Sequence, residues 1–278
     1  MFKCHGNCGL YGDVIDLIGY MNIPGYQYGN LALKKQAAEI LSGGRYEISE
    51  PIAPPPTPPL SLWMANKFLP LAENVRDYMV ERGVPEAYLE KYKVGSASYV
   101  KDGEVTKRNQ DLSVSLPVFH DGNLMGIKLR KIEPNGYRYF NVEGSQPALW
   151  NYDSVFLTDN VVFVVKGEIA GMVLQAFLDK HRLPAFACAP THGEHGFVDK
   201  FVQVLSFAKT VVIGDNDRDP GIREKIVEAT QKRAASLGGL LHFPYEGYKD
   251  IDEQILRDPS TSYEMLVRWI EEAKRYAI

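Results

Sequence analysis

Cysteine is scarce in this chain, with three in 278 residues. Cys4 and Cys8 lie close together and Cys188 stands alone, so no disulfide scaffold is available and a reducing cytoplasmic setting is expected. Long hydrophobic runs are missing too. No stretch approaches the roughly 20 apolar residues that a membrane-spanning helix needs, and the opening Met1-Phe2-Lys3-Cys4-His5 lacks the apolar core of a signal peptide. No membrane partner is expected. Nor does either charge dominate: 31 basic and 35 acidic side chains leave a formal net charge of -4. That excludes a broadly basic nucleic-acid coat but leaves room for a local basic channel offset by acids elsewhere. A Gly-rich loop ending in Lys-Ser or Lys-Thr is absent, which removes a P-loop ATPase.

What is present suffices for a full core. At 45% hydrophobic residues the chain reads as two compact domains plus extras. Residues 1–44 form a small opening unit, and 45–60 contain the run Glu50-Pro51-Ile52-Ala53-Pro54-Pro55-Pro56-Thr57-Pro58-Pro59-Leu60, a semi-rigid polyproline spacer. Residues 61–153 combine a helical stretch over 62–82 with short strand-like runs. Those runs are broken by Asp102-Gly103, Asp121-Gly122 and Asn135-Gly136, which are hairpin signals, so an antiparallel sheet with some helix is expected. Over 154–258 the rhythm becomes strand, helix, strand, helix. Apolar strands are read at 161–165, 185–188, 210–213 and 240–243, with helices at 169–180, 197–207 and 220–237. Continuous apolar strands between helices predict a parallel sheet covered on both faces. Residues 259–278 hold a terminal amphipathic helix.

The chemistry-bearing residues concentrate in that parallel-sheet region. Asp215-Asn216-Asp217 follows the apolar run Val211-Val212-Ile213-Gly214, and Lys249-Asp250-Ile251-Asp252-Glu253 follows Leu240-Leu241-His242-Phe243. A carboxylate just past the end of a buried parallel strand lies at the sheet rim, where α/β folds bind ligands. Carboxylates converging there repel one another unless a cation neutralises them, and hard oxygen donors suit Mg²⁺ or Mn²⁺ carrying phosphates. Either cluster alone reads equally well as a strand-ending turn, since Asp and Asn favour turns. Two clusters in one βα array favour a metal site. Asp219 precedes Pro220 and is assigned to the turn at a helix start, where Pro suits the first position.

The order of motifs resembles the bacterial and phage DNA primases of the DnaG type with their TOPRIM catalytic domain. Cys4-His5-Gly6-Asn7-Cys8 through Leu17 is similar to the second half of the primase zinc ribbon. Tyr78-Met79-Val80-Glu81-Arg82-Gly83-Val84 and Lys93-Val94-Gly95 resemble the start of the N-terminal catalytic subdomain. Leu116-Pro117-Val118-Phe119 with Gly126-Ile127-Lys128-Leu129-Arg130 resembles its central sheet motif, and Tyr139-Phe140-Asn141 with Leu149-Trp150-Asn151 the stretch leading into TOPRIM. Lys166-Gly167-Glu168, Asp215-Asn216-Asp217 and Lys249-Asp250-Ile251-Asp252-Glu253 follow in the family's order. The resemblance thus implies a partial zinc ribbon over 1–44, an α+β N-terminal catalytic subdomain over 61–153, and an α/β TOPRIM domain over 154–258.

That family synthesises short RNA primers on single-stranded DNA, so the implied partners are a DNA template, ribonucleoside triphosphates and a replicative helicase. The attack of a ribose hydroxyl on a triphosphate needs Mg²⁺ or Mn²⁺. Asp215, Asp217, Asp250 and Asp252 are the implied ligands, and Glu168, Asp215, Asp217 and Lys166 the implied catalytic set. Lys166 departs from the pattern, because TOPRIM domains carry a glutamate there. Three readings stand: Glu168 takes the acidic role; Lys166 holds a phosphate or pairs with Asp215; or the site is degenerate and binds nucleic acid without polymerising. Arg130, Lys128, Lys131 and Arg138, interleaved with Tyr139 and Phe140, are the candidate nucleic-acid and nucleotide contacts, against the plainer reading of a solvated sheet face.

Structural zinc takes four Cys or His ligands, and Cys4 and Cys8 supply one pair only. No stable zinc is expected in this chain as given; Cys4 and Cys8 are the ligands if it is held. Gly12-Asp13 before Val14, Ile15, Leu17 and Ile18 reads as a helix start with a buried face. His192 and His195, set among glycines, read as a surface turn. A TOPRIM nuclease is the reading from another enzyme class, which the primase-like middle segment disfavours. The compact layout is closer to primases of phages and other mobile elements.

Overall fold

A computed structural model describes residues 2–3, 11–12, 14–26, 31–42, 71–98, 112–132, 138–142, 144–156, 158–191, 199–205 and 207–276. Cys4 and Cys8, the proline-rich run, the Asp102-Gly103 and Asn135-Gly136 turns and the His192 to His195 segment lie outside the described residues. The chain divides into two compact units, Met1–Thr57 and Pro58–Ile278.

In the first unit, strands β1 (Phe2–Lys3) and β2 (Tyr11–Gly12) pair antiparallel. Helix α1 (Val14–Asn22) packs on α2 (Leu31–Ser42). The expected buried face of α1 holds for Ile15 and Ile18, which pack on the cluster of Ile23, Tyr26 and Ala37, and is corrected for Val14 and Leu17, which are exposed, whereas Asp16 is fully buried. Its carboxylate accepts from the Tyr26 hydroxyl at 2.8 Å and pairs with Lys34 Nζ at 2.9 Å. Gly19 shares that face, three residues on, and the Tyr26 ring sits where a Cβ at Gly19 would be. A paired carboxylate and a glycine thus take the side that hydrophobicity alone assigns to Val14 and Leu17.

The described part of the second unit opens with α3 (Glu73–Glu81) and α4 (Glu86–Lys91), then a four-stranded antiparallel sheet. Its strands are β3 (Gly95–Ser98), β4 (Leu112–His120), β5 (Asn123–Lys131) and β6 (Tyr139–Asn141), in that order. Asp121 and Gly122 join β4 to β5 with φ of 50° and 75°, the two positive values that a tight hairpin turn requires. The register pairs Val114 with Arg130 and Leu116 with Lys128. Because side chains alternate along a strand, these four share one face, and Ser115, Leu129, Pro117 and Ile127 take the other. Val114, Leu116 and Val118 join the main core, so Lys128 and Arg130 are turned towards the second sheet.

That sheet contains β7 (Leu149–Trp150), β8 (Val161–Val164), β9 (Ala185–Pro190), β10 (Lys209–Ile213) and β11 (Leu240–His242), in the order β11-β10-β8-β9-β7. The last four named in the chain are parallel; β7 lies antiparallel on β9. An edge strand of two residues carries too few alternations to register in a sequence. Helices α5 (Tyr152–Val155), α6 (Glu168–Lys180), α7 (Asp199–Val204), α8 (Pro220–Leu237), α9 (Ile251–Arg257) and α10 (Pro259–Tyr276) complete the unit. Val161 and Phe163 pack with Met172 of α6 and Trp269 and Ile270 of α10, while Val162, Val164 and Val212 pack with Phe201 and Leu205 on α7 and beyond it and with Ala234 of α8. Each buried side chain of this size contributes about 1.5–3 kcal/mol. Both faces are therefore covered, as continuous apolar strands demand. The second unit is mixed α/β with two sheets among the described residues. Among the described residues no helix is long and apolar enough to cross a membrane.

Candidate active site

Where the antiparallel sheet faces the carboxyl ends of the parallel strands, a cavity of about 340 Å³ opens. Lys128, Arg130 and Leu116 come from the sheet side, with Tyr139 and Asn141 on β6. Lys166, Glu168, Asp215, Asp250 and Asp252 come from the parallel-strand side, and Arg82 from the end of α3. Local sequence sets each position. Lys166 occupies the turn after β8, and Glu168 opens α6 behind the N-cap Gly167. Asp215 follows β10 by two residues. Asp250 is the N-cap of α9, its Oδ1 accepting from Glu253 N at 3.0 Å, while Glu253 Oε2 accepts from Lys249 N at 2.7 Å. Both acids satisfy amides left open at the helix start, a close variant of the capping box.

Asn216 stitches the two acidic loops together. Its amide nitrogen Nδ2 donates to the carbonyls of Pro244 (2.8 Å) and Tyr248 (3.3 Å), and its backbone N–H donates to Lys249 O at 2.6 Å. In sequence it looks like one more oxygen ligand between two aspartates; in the fold it is the residue that brings Asp215 beside Asp250.

Three carboxylates of the cavity have basic partners. Lys128 Nζ pairs with Glu168 Oε2 at 2.8 Å, and both side chains are almost fully buried. Arg82 Nη2 meets Asp252 Oδ2 at 2.5 Å, and Lys166 Nζ meets Asp215 Oδ2 at 3.2 Å. Burial pushes the Asp215 carboxyl above the usual carboxylate range, Lys166 pulls it back, and Asp250 nearby raises it further. Asp250 is pushed up to about 6, first by burial and then by Asp252, with which it shares a side-chain hydrogen bond. Two polar atoms remain unmatched: Glu168 Oε1 and Arg130 Nε are buried without a hydrogen-bond partner. Arg130 is otherwise held by Tyr139, donating from Nη1 to the hydroxyl at 2.7 Å, and lies over the rings of Tyr78 and Tyr139.

Of the residues singled out in the sequence, Lys128, Arg130, Lys166, Glu168, Asp215, Asp250 and Asp252 line this cavity. Asp217, Lys131 and Arg138 do not. Asp217 Oδ1 accepts from Asp219 N at 3.0 Å, which commits it to its own turn. Lys131 pairs across to Ser113 on the opposite face from Lys128 and Arg130, and its ammonium lies over Phe140. Arg138 is exposed before β6. Asp219 is the N-cap of α8, accepting from Gly221 N and Ile222 N at 2.9 and 3.1 Å. Arg82 was visible as part of a motif, but its partner Asp252 lies 170 residues away, and no sequence signal joins them.

The donor set suits a hard divalent cation in kind, since carboxylate oxygens surround the cavity and one of them, Glu168 Oε1, is buried and unmatched. It is not gathered around one point: among the described residues no three His, Cys, Asp or Glu side chains come together as a metal-holding group. Glu168, Asp215 and Asp252 turn towards basic partners, and Asp250 caps α9 and shares a hydrogen bond with Asp252.

No protein-family model matches the sequence, and no curated protein matches it. Solved structures do match the fold. The chain is similar to the Aquifex aeolicus primase (zinc-binding and RNA polymerase domains), with a TM-score of 0.54 at 18% identity, over 97% of this chain and 72% of that one. It is also similar to a DNA primase domain from Pseudomonas aeruginosa, with a TM-score of 0.54 at 12% identity, over 74% of this chain and 76% of that one. The architecture built above from two facing sheets is the fold of the bacterial DNA primases.

Proposed function

We propose that this chain is a DNA primase, a nucleotidyltransferase that makes short RNA primers on single-stranded DNA, and that residues 154–258 form a TOPRIM-type domain. One observation carries the reading. In a primase-like fold, a single cavity sets the cations Lys128, Arg130 and Arg82 against the carboxylates Glu168, Asp215, Asp250 and Asp252. Template strand and ribonucleoside triphosphate both present phosphates, which basic side chains neutralise. Arg130, with its unmatched buried Nε and its planar group already braced by two tyrosines, is suited to hold a triphosphate oxygen. Tyr139 is half exposed at the same wall and offers a ring on which a base can stack.

Asp215, Asp250 and Asp252 would hold Mg²⁺ or Mn²⁺, which when bound neutralises the triphosphate and the leaving pyrophosphate. In the reaction a ribose 3′ hydroxyl oxygen bonds to the α-phosphorus, and the bridging bond to the β-phosphate breaks. Pyrophosphate leaves with that electron pair. Glu168 Oε1 takes the hydroxyl proton, being the one buried carboxylate oxygen of the cavity without a partner. Lys128 holds the other oxygen of Glu168 and so fixes its orientation.

The test is ribonucleotide incorporation on single-stranded DNA with Mg²⁺ and then Mn²⁺. Wild type incorporates, and Asp215→Ala does not while keeping its fold by circular dichroism. DNA binding without incorporation in either metal would overturn the proposal. It would favour a nucleic-acid-binding protein that does not polymerise, a reading which the basic partner on each of three carboxylates supports.

A further inference from the structure

A second cavity, of about 310 Å³, opens in the second unit and shares no lining residue with the first. Its size is that of a small-ligand site. The end of α4, the β4–β5 hairpin and the segment around β7 line it. Lys91 and Lys93 are the exposed cations of that lining. Their ammonium groups lie over aromatic rings, Lys91 over Tyr92 at 5.2 Å and Lys93 over Phe119 at 4.4 Å. Lys91 has a loose ion pair with Asp179 at 3.8 Å, and among the described residues Lys93 has no carboxylate partner. The one acid of the described lining, Asp153, accepts from the Asp121 N–H at 2.8 Å. The balance of charge is therefore positive, and the rings beside it offer faces to a flat ligand.

Backbone conformation adds a second observation. Lys93 follows the C-cap of α4; its N–H donates to Glu90 O at 3.0 Å, and that of Val94 donates to Leu89 O at 2.8 Å. This closing turn puts Lys93 at φ 52°, a left-handed position where glycine is the usual residue. Asn151, in the same lining, stands at φ 62°. Residues held in such conformations gather at binding sites. A third observation comes from Trp150, which lines the cavity with its indole Nε1 buried and without a hydrogen-bond partner. A buried donor left open calls for an acceptor. We infer that this cavity is a second nucleotide site, separate from the catalytic one. The base lies against Phe119 and Tyr92, the phosphates reach Lys91 and Lys93, and an acceptor atom of the ligand meets Trp150 Nε1. That chemistry is offered by a free nucleotide and by the 5′-phosphorylated end of a strand. The inference goes beyond the primase reading and uses none of the residues that carry it.

The test is ATP binding by isothermal titration calorimetry, in EDTA so that no metal site contributes. All proteins carry Arg130→Ala, which weakens binding in the first cavity. In that background ATP is expected to bind, and adding Lys91→Gln/Lys93→Gly weakens it about tenfold, the scale of two exposed charge contacts. Glycine suits the left-handed turn, so a lost affinity there is not a lost fold. Adding Phe119→Leu instead weakens ATP about fivefold or more and leaves inorganic triphosphate unchanged, because only a base stacks. A 5′-phosphorylated oligothymidylate identifies the source. Binding tighter than ATP and lost in the same variants assigns the site to a strand end, and weaker binding assigns it to free nucleotides. No ATP binding in the background protein, or an affinity that neither change moves, overturns the site. A loss with the lysines alone marks an anion patch and overturns it too. The primase reading is untouched by these outcomes, since it stands or falls with ribonucleotide incorporation.

Discussion

Replacing Lys128 by Met removes the cation from the most deeply buried ion pair among the described residues of the second unit and leaves Glu168 facing the cavity wall without it. The magnitude follows from burial. Lys128 Nζ lies 2.8 Å from Glu168 Oε2, with the two side chains 8% and 2% exposed, and Oε1 already lacks a partner. Breaking a buried pair from one side costs about 3–5 kcal/mol, because the remaining carboxylate stays desolvated. Access to the cavity places this site at the low end, about 3 kcal/mol, or roughly 6–12 °C in melting temperature for a unit of this size. The double variant Lys128→Met/Glu168→Leu removes both charges and should regain most of that loss, since a buried pair and an apolar replacement are nearly equal in stability. The assay is urea unfolding followed by circular dichroism on wild type, both single variants and the double variant. Lys232→Met, which breaks the exposed pair with Glu228, is the control and should leave the midpoint unmoved. A Lys128→Met loss below about 1 kcal/mol, or a double variant no better than the single, would refute the claim that this pair is closed off from water.

Two further predictions concern the acidic rim. Asp250 is raised from 3.8 to about 6, so between those values the folded state binds the proton more tightly than the unfolded chain. The stability it contributes is present below about pH 4 and lost as pH rises through 6. In metal-free buffer Asp250→Asn, which keeps the cap, should therefore be roughly 1–2 kcal/mol more stable than wild type at pH 7, allowing for partial solvent screening; a pH profile parallel to wild type would contradict it. Asn216→Ala should cost about 1–3 kcal/mol and weaken Mn²⁺ binding although it removes no carboxylate, because the loops carrying Asp215 and Asp250 lose their stitch. Unchanged Mn²⁺ affinity in that variant would show that the loops hold their spacing without it.

Much of the fold is legible because it depends on local rules. The Asp121-Gly122 hairpin, the parallel strands ending at Ile213 and His242, and the Asp219-Pro220 helix start all follow from residues adjacent in sequence. The site is legible as a set of residue types for the same reason: carboxylates just past strand ends share a rim. What could not be read depends on contacts between distant residues. Arg82 meets Asp252 across 170 residues, and Lys128 meets Glu168 across 40. The faces of β5 divide Lys128 and Arg130 from Lys131 only once the register with β4 is known, and a slip of one residue would exchange them. Asp217 and Asn216 look alike as oxygen donors in sequence, yet one closes its own turn and the other binds a neighbouring loop. Asp16 is a similar case in the first unit, since its burial requires both Tyr26 and Lys34.

The departure at Lys166 also has a meaning that pairing alone supplies. Among the described residues four carboxylates line the cavity, Glu168, Asp215, Asp250 and Asp252, against four cations, Arg82, Lys128, Arg130 and Lys166. With the glutamate of the DnaG-type pattern at this position, five carboxylates would face three cations, and like charges at close range would demand a metal ion or protons merely to coexist. Lysine removes one negative charge and adds one positive. The charges of the described lining are thereby balanced, with Glu168, Asp215 and Asp252 on basic partners and Asp250 hydrogen-bonded to Asp252.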